Sequence, residues 1–252
     1  STTTQNKNVS NSVESCTAQN VQVQTSAGEN YADSVGVFFG KCDASLTVTS
    51  SEVKHSSVKG TYAAGMVAGR IRSNTGRTFV ATDTNVSGAE NEQKASVIQA
   101  QSYAGGLVGC SEVESAIERC TVSDTAITAD TEGGLLGEVT ASSDIYGCKV
   151  SSVDFKKTSD STTSLAGALV GKLSAELTGG NLLWDTNSYE EKIATKGTWI
   201  GSCEKPSVTA VDTSSALIES ISEDLTGENL LGDIASTTSQ NDKKLTALSG
   251  IT

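Results

Sequence analysis

Few residues of this chain are of types that could do chemistry. Carboxylates are the most numerous: Asp124, Asp130, Glu132, Asp144, Asp154, Glu190 and Glu191 crowd one stretch. Two or three such groups converging beside a Lys or Arg are what a polysaccharide hydrolase or lyase requires. These do not return to one position of the chain's repeat, so solvated loops explain them better than a catalytic groove. His55 is the only histidine. Without a partner in sequence it reads as a surface or turn residue, which removes Ser/His and Cys/His nucleophile schemes. Asp83-x-Asn85-x-Ser87-Gly88 starts like a calcium loop, but Lys94 stands where the bidentate Glu is needed. The six cysteines form no Cys-x-x-Cys or Cys/His group of the kind that holds zinc. No catalytic, cofactor-binding or metal-ligating residue is therefore assigned, and no cofactor is expected.

The elements that would position any site are set by a repeat. Gly36-Val37-Phe38-Phe39-Gly40 is followed by Gly65-Met66-Val67-Ala68-Gly69, Gly105-Gly106-Leu107-Val108-Gly109, Gly133-Gly134-Leu135-Leu136-Gly137, Gly167-Ala168-Leu169-Val170-Gly171 and Gly197-Thr198-Trp199-Ile200-Gly201. The closing glycines step by 29, 40, 28, 34 and 30 residues. A period near thirty with polar insertions marks a repeat architecture, and residues 87–96 fill the longest step.

Two further columns accompany the glycine blocks. Alternating pairs occur at Cys16-x-Ala18, Leu46-x-Val48, Phe79-x-Ala81, Cys120-x-Val122 and Cys148-x-Val150, with Val23, Val53, Val86, Ile127 and Phe155 five residues beyond. Two residues after the closing Gly come Cys42, Ile71, Val139, Leu173 and Cys203, with Ser111 as the exception. Alternation over a few residues bounded by Ser, Thr, Asp and Gly specifies short strands. Helical repeats would be richer in Ala, Leu, Glu and Lys. One repeat has too little apolar area to fold alone, whereas stacked copies bury a continuous interior.

The fold expected is all-β: a parallel β-helix (β-solenoid) of about six turns over residues 14–205, each turn rising ~4.8 Å. Glycines at the ends of each signature would permit a tight corner and a positive φ. Phe39, Val108, Leu136, Val170 and Ile200 would point away from the interior, requiring either a bulge or an external stripe that something covers. Residues 1–13 form a polar segment or a partial first rung. Residues 206–252, beyond the single Pro206, form a C-terminal capping segment. It contains a short helix over Ser214–Leu225, capped by Thr213 or Ser214 and stopped by Gly227.

The cysteines occupy apolar columns, where buried free thiols are the expectation. A bridge such as Cys120–Cys148 is the alternative, because stacked strands come within disulfide reach.

Gly105-Gly106-Leu107-Val108-Gly109 followed by Ile117-x-x-Cys120-x-Val122, and Gly133-Gly134-Leu135-Leu136-Gly137 followed by Ile145-x-x-Cys148-x-Val150, resemble the GLUG-type repeat. Leu183-Trp184-Asp185-Thr186 is similar to the Trp-Asp-Thr element that closes such arrays. The resemblance covers roughly residues 35–205. It implies a right-handed β-helix from large secreted or surface-attached bacterial proteins, adhesin-like, with no general catalytic residues to carry over.

With 18 Lys and Arg against 30 Asp and Glu, the net charge of −12 opposes binding to nucleic acid or anionic lipid. No apolar run is long enough to span a bilayer. The function expected is a non-catalytic structural and adhesive module at the cell surface or outside the cell, part of a larger multidomain surface protein. Its partner would be a glycan or protein of a host or neighbouring cell, met by the loops at 87–96 and 156–164. The alternatives are a carbohydrate-active β-helix enzyme and a pure spacer.

Overall fold

The computed structural model describes residues 9–25, 34–73, 76–88, 95–158, 164–180, 183–185, 187–190, 193, 195–197, 200–203, 208–210, 233–234 and 245–246. These residues are all-β, and every strand pairing among them is parallel. One turn shows the plan. Ser45–Thr49 lies in a first sheet, A; Glu52–Lys54 and Ser57–Lys59 lie in sheet B; Ala63–Gly65 lies in C and Ala68–Ile71 in D. The chain then returns to sheet A as Thr78–Thr82, hydrogen-bonded beside Ser45–Thr49. This is a parallel β-solenoid.

Among the described residues sheets A, B, C and D contain eight, ten, six and seven strands. The expected six turns match sheet C; sheet A runs further, from Ser10–Glu14 to Leu245–Thr246. Residues 10–13 thus belong to a strand. Beyond Pro206, Val208–Ala210 joins sheet A and Asp233–Ile234 joins sheet D. The helix expected over Ser214–Leu225 lies outside the described residues.

The interior is built from aligned columns, since in-register parallel pairing puts equivalent side chains one above another. Val48, Ala81, Ile117 and Ile145 form one column of sheet A. Val53, Val86, Val122 and Val150 form one of sheet B, and Val58, Ile98, Ile127 and Phe155 the next. All of these are fully buried.

This register corrects two columns inferred from sequence. Leu46 and Phe79 align with Ser115 and Ser143 in sheet A, not with Cys120 and Cys148, which lie at the following corner. Val53 and Val86 likewise align with Ala18, Val122 and Val150 rather than with Val23, Ile127 and Phe155. The physical reason is that two strands of nearly equal pattern follow each other across a corner, and spacing alone cannot tell one from the next. The column Cys42, Ile71, Ser111, Val139, Leu173 and Cys203 is as expected. The one hydroxyl in it, Ser111, meets Ser115 of the next strand at 2.9 Å.

The glycine signature also works differently from expectation. Among the described glycines only Gly76 and Gly147 have positive φ. The signature glycines instead line a seam where sheets C and D touch backbone to backbone. A Cβ on Gly105 would lie 2.1 Å from the Val108 carbonyl oxygen and 2.6 Å from the Gly137 nitrogen, and one on Gly109 2.6 Å from the Ala64 nitrogen. Val108, Leu136, Val170 and Ile200 do not point outward; all are fully buried, and Phe39 is half-buried against the core. The chain bends at Gly106–Leu107, where the amides of Leu107 and Val108 both donate to the Leu135 carbonyl, at 2.9 and 3.2 Å. That bend resets the alternation, so neither an external stripe nor a cover for it is needed.

Candidate functional site

Corners position everything on the outside of this molecule. After sheet A the turn residue is left-handed in five successive rungs: Ser15, Ser50, Asp83, Arg119 and Gly147. The next residue (Cys16, Ser51, Thr84, Cys120 or Cys148) donates its side-chain proton to the carbonyl two residues back, at 2.8–3.3 Å. A second corner, inside sheet B, repeats the device with left-handed Asn20, His55, Asp124 and Ser152. There Ser56 Oγ and Thr125 Oγ1 donate to Lys54 and Ser123 carbonyls at 2.7 and 2.8 Å. A non-glycine residue in this conformation is strained by about 1–2 kcal/mol. Bonds to the next rung offset that at Ser15, Asn20, Ser50, His55, Asp83 and Arg119, as when His55 N–H donates to the Ser87 carbonyl at 2.9 Å. His55 is therefore a turn residue.

The loop at 87–96 leaves from this second corner. Asn85–Ser87 and Ser96–Gln99 stay in register with Thr121–Ser123 and Thr125–Thr128, so Ser87 and Ser96 are strand residues and the chain has 88–95 where the next rung has Asp124 alone; residues 89–94 lie outside the described residues. The corner bond survives across the insertion, with Ser96 Oγ donating to the Ser87 carbonyl at 2.8 Å. The loop expected at 156–164 is shorter than its spacing implied: Lys156 and Lys157 end the strand Lys149–Lys157 of sheet B, Leu165–Gly167 of sheet C follows, and residues 159–163 lie outside the described residues. Thr158 Oγ1 there donates to Asp130 at 2.5 Å.

The carboxylates separate into several environments. Asp144 is exposed on sheet A, and Asp124 sits at the corner. Asp154 pairs with Lys156 at 2.8 Å. Glu190 accepts from the Lys157 amide at 2.9 Å. Glu132 differs: it is fully buried between Ala104 and Ala166 in a column that runs Val35, Ala64, Ala104, Glu132, Ala166 and Lys196. Its Oε1 accepts from the Ala129 amide at 2.8 Å, while Oε2 has no partner. Burial pushes its pKa well above the carboxylate range, and Glu190 and Asp154 add to the rise; the Ala129 and Lys156 amides oppose it. Sequence spacing missed this proximity of Glu132, Asp154 and Glu190. Glu132 is closed to solvent, so the group is not a substrate groove. Glu191 lies outside the described residues.

Where the start of each C strand meets the end of each D strand, a mixed cluster fills the mouth of the seam. Tyr62 and Tyr103 meet edge to face at 5.3 Å, and the Arg70 guanidinium lies 4.9 Å over Tyr62. Arg70 Nε donates to Glu112 at 2.6 Å, and Lys172 pairs with Glu138 at 3.5 Å. Cys110 donates to Glu138 at 3.6 Å. Burial, then Glu138, push the Cys110 thiol up, so it stays protonated and is not a nucleophile. Nothing in the glycine signature announced this cluster, whose members come from four successive rungs.

The calcium-like stretch is not a loop. Asp83 is chelated by Arg119 at 2.8 and 3.0 Å, which holds its carboxyl below the usual range, and Asn85 accepts from Thr121 at 2.6 Å. Among the described residues no group of three His, Cys, Asp or Glu is placed to hold a metal ion.

Comparison with family models, with curated proteins and with solved structures finds no match.

Proposed function

We propose that this chain is a non-catalytic structural and adhesive module of a bacterial surface or secreted protein, built from repeats of the GLUG type. Its rigid solenoid holds polar loops at fixed height and presents them to a glycan or protein of a host or neighbouring cell. The observation that carries the reading is the corner at Ser87 and Ser96, where residues 88–95 are inserted without disturbing either flanking strand or the corner bond. A frame that keeps register around an insertion can vary its loops freely, which is what display of a changing contact surface requires. The outer faces add Ser, Thr, Asn and paired charges such as Glu52–Lys54 at 2.7 Å. Such surfaces suit many weak contacts summed over a larger assembly.

A binding screen of the intact protein against glycans and extracellular-matrix components tests the proposal. The expected result is a ligand whose binding is lost when residues 89–94 are exchanged for another polar sequence. Absence of binding across the panel would leave only a spacer. Turnover of an acidic polysaccharide, abolished by removing carboxylates, would replace the proposal with an enzyme.

A further inference from the structure

The corner after sheet A stacks Cys16, Ser51, Thr84, Cys120 and Cys148 in successive rungs, tied by bonds such as Lys149 N–H to the Cys120 carbonyl at 2.9 Å. Only at the last step do two thiols lie one above the other. We infer that Cys120 and Cys148 form a redox site, a disulfide between rungs that closes when the chain folds in the presence of a disulfide oxidant. The inference does not depend on the adhesive reading.

Geometry comes first. Stacked strands are about 4.8 Å apart, inside the roughly 4.4–6.8 Å between Cα atoms that a disulfide spans. Both side chains turn inward at the same corner, and both residues are fully buried. Both are free thiols in this structure and each donates along its own corner, Cys120 to the Glu118 carbonyl and Cys148 to the Tyr146 carbonyl, both at 3.3 Å, so the two sulfurs hold equivalent positions in adjacent rungs. Their mutual influence holds the Cys120 pKa below its usual value despite burial and pushes Cys148 up. Corner bonding alone does not call for sulfur, because Ser51 and Thr84 make the same bond to the carbonyl two residues back and hydroxyls are the better donors. The other described thiols have no such partner. Cys42 lies beside Ile71, Cys110 lies between Arg70 and Glu138, and Cys16 faces Ser51.

The chemistry balances with an oxidant that is itself a disulfide, either oxidised glutathione or the active-site disulfide of a thiol oxidoreductase. The Cys120 thiolate attacks one sulfur of the oxidant, and the other sulfur leaves as a thiolate. Cys148, deprotonated in turn, attacks the Cys120 sulfur of this mixed disulfide and expels the second thiolate. Two electrons and two protons pass to the oxidant, which ends as two thiols. Because both sulfurs are closed to solvent in the folded chain, the exchange takes place before the rung of Ser143–Tyr146 and Lys149–Lys157 seals onto the one beneath. Once closed, the bond is screened from thiols in solution.

The test refolds the full chain with oxidised and reduced glutathione, then counts free thiols in denaturant without reductant. Two of the six cysteines become unreactive, and peptide mapping places the link at Cys120–Cys148. The oxidised form resists denaturant with a folding constant about a hundredfold higher than the reduced form. The double variant Cys120→Ser/Cys148→Ser keeps both corner bonds, folds, and loses the oxidant-dependent difference. All six thiols reactive in a folded, oxidant-treated protein overturns the inference, as does a link mapped to any other pair. If the wild-type chain folds only without oxidant while the double variant folds in either condition, the pair is a liability and the inference also fails.

Discussion

The seam between sheets C and D and the corner within sheet B differ most in what they tolerate. At the seam, glycines of successive rungs interlock so closely that a Cβ on Gly133 would stand 1.8 Å from the Leu136 carbonyl oxygen, and one on Gly137 2.4 Å from that of Gly109. At the corner, one rung passes through Asp124 alone while its neighbour accommodates residues 88–95. Both are turns of the same coil. In the first, two backbones face each other across no side-chain space, so composition cannot vary. In the second, the strands on either side of the insertion keep their pairing, so length can. Motif conservation within the chain and loop variation thus arise from one property, how much room lies beyond the backbone.

Breaking the seam is expected to have the largest effect. Gly137→Val sets a branched side chain against backbone of a neighbouring rung, and loss of more than about 4 kcal/mol, or of folding altogether, is expected in denaturant unfolding. Leu135→Ala and Leu169→Ala, both fully buried beside the seam, should each cost about 2–5 kcal/mol in the same measurement. If either were neutral, the seam would not be continuous with the core.

Glu132 sharpens the contrast from inside. Its folded-state pKa is raised, chiefly by burial. The stability contributed by the neutral carboxyl is therefore fully present below its unfolded value near about pH 4.3 and is lost as pH rises through the folded value. Glu190 and Asp154 are the charges that bear on it, and Tyr189 is the neighbouring titratable group. Glu132→Gln should flatten that decline, seen as a smaller change in unfolding midpoint between about pH 4 and pH 9.

The corner should give the small effects. Exchanging residues 89–94 for another polar sequence should shift stability by less than about 1 kcal/mol, since loop closure varies slowly with length. Ser123→Ala and Thr128→Ala on the outer face of sheet B should stay within about 0.5 kcal/mol. A large loss from the loop exchange would show that the insertion supports the frame it leaves.

Much of the fold was legible before any coordinates. The repeat of Gly-x-x-x-Gly blocks, the column through Ile71, Val139 and Leu173, and the interior place of Leu107, Leu135 and Leu169 follow from spacing and alternation. The column assignments of Leu46 and Cys120 did not, because two adjacent strands carry the same apolar alternation. The left-handed corners at His55 and Arg119 had no signal either, since these residue types seldom adopt that conformation.

The sequence by itself determined that strands must stack in parallel copies, because no single repeat has enough apolar surface to stand alone. Only the tertiary structure decided which residues become neighbours between rungs. Glu132 beside Glu190, Arg70 beside Glu112 and Cys120 beneath Cys148 are each set by how many residues the chain spends on the intervening coil. That number varies with every outward loop, so contacts across rungs become fixed only when the backbone hydrogen bonds lock the register.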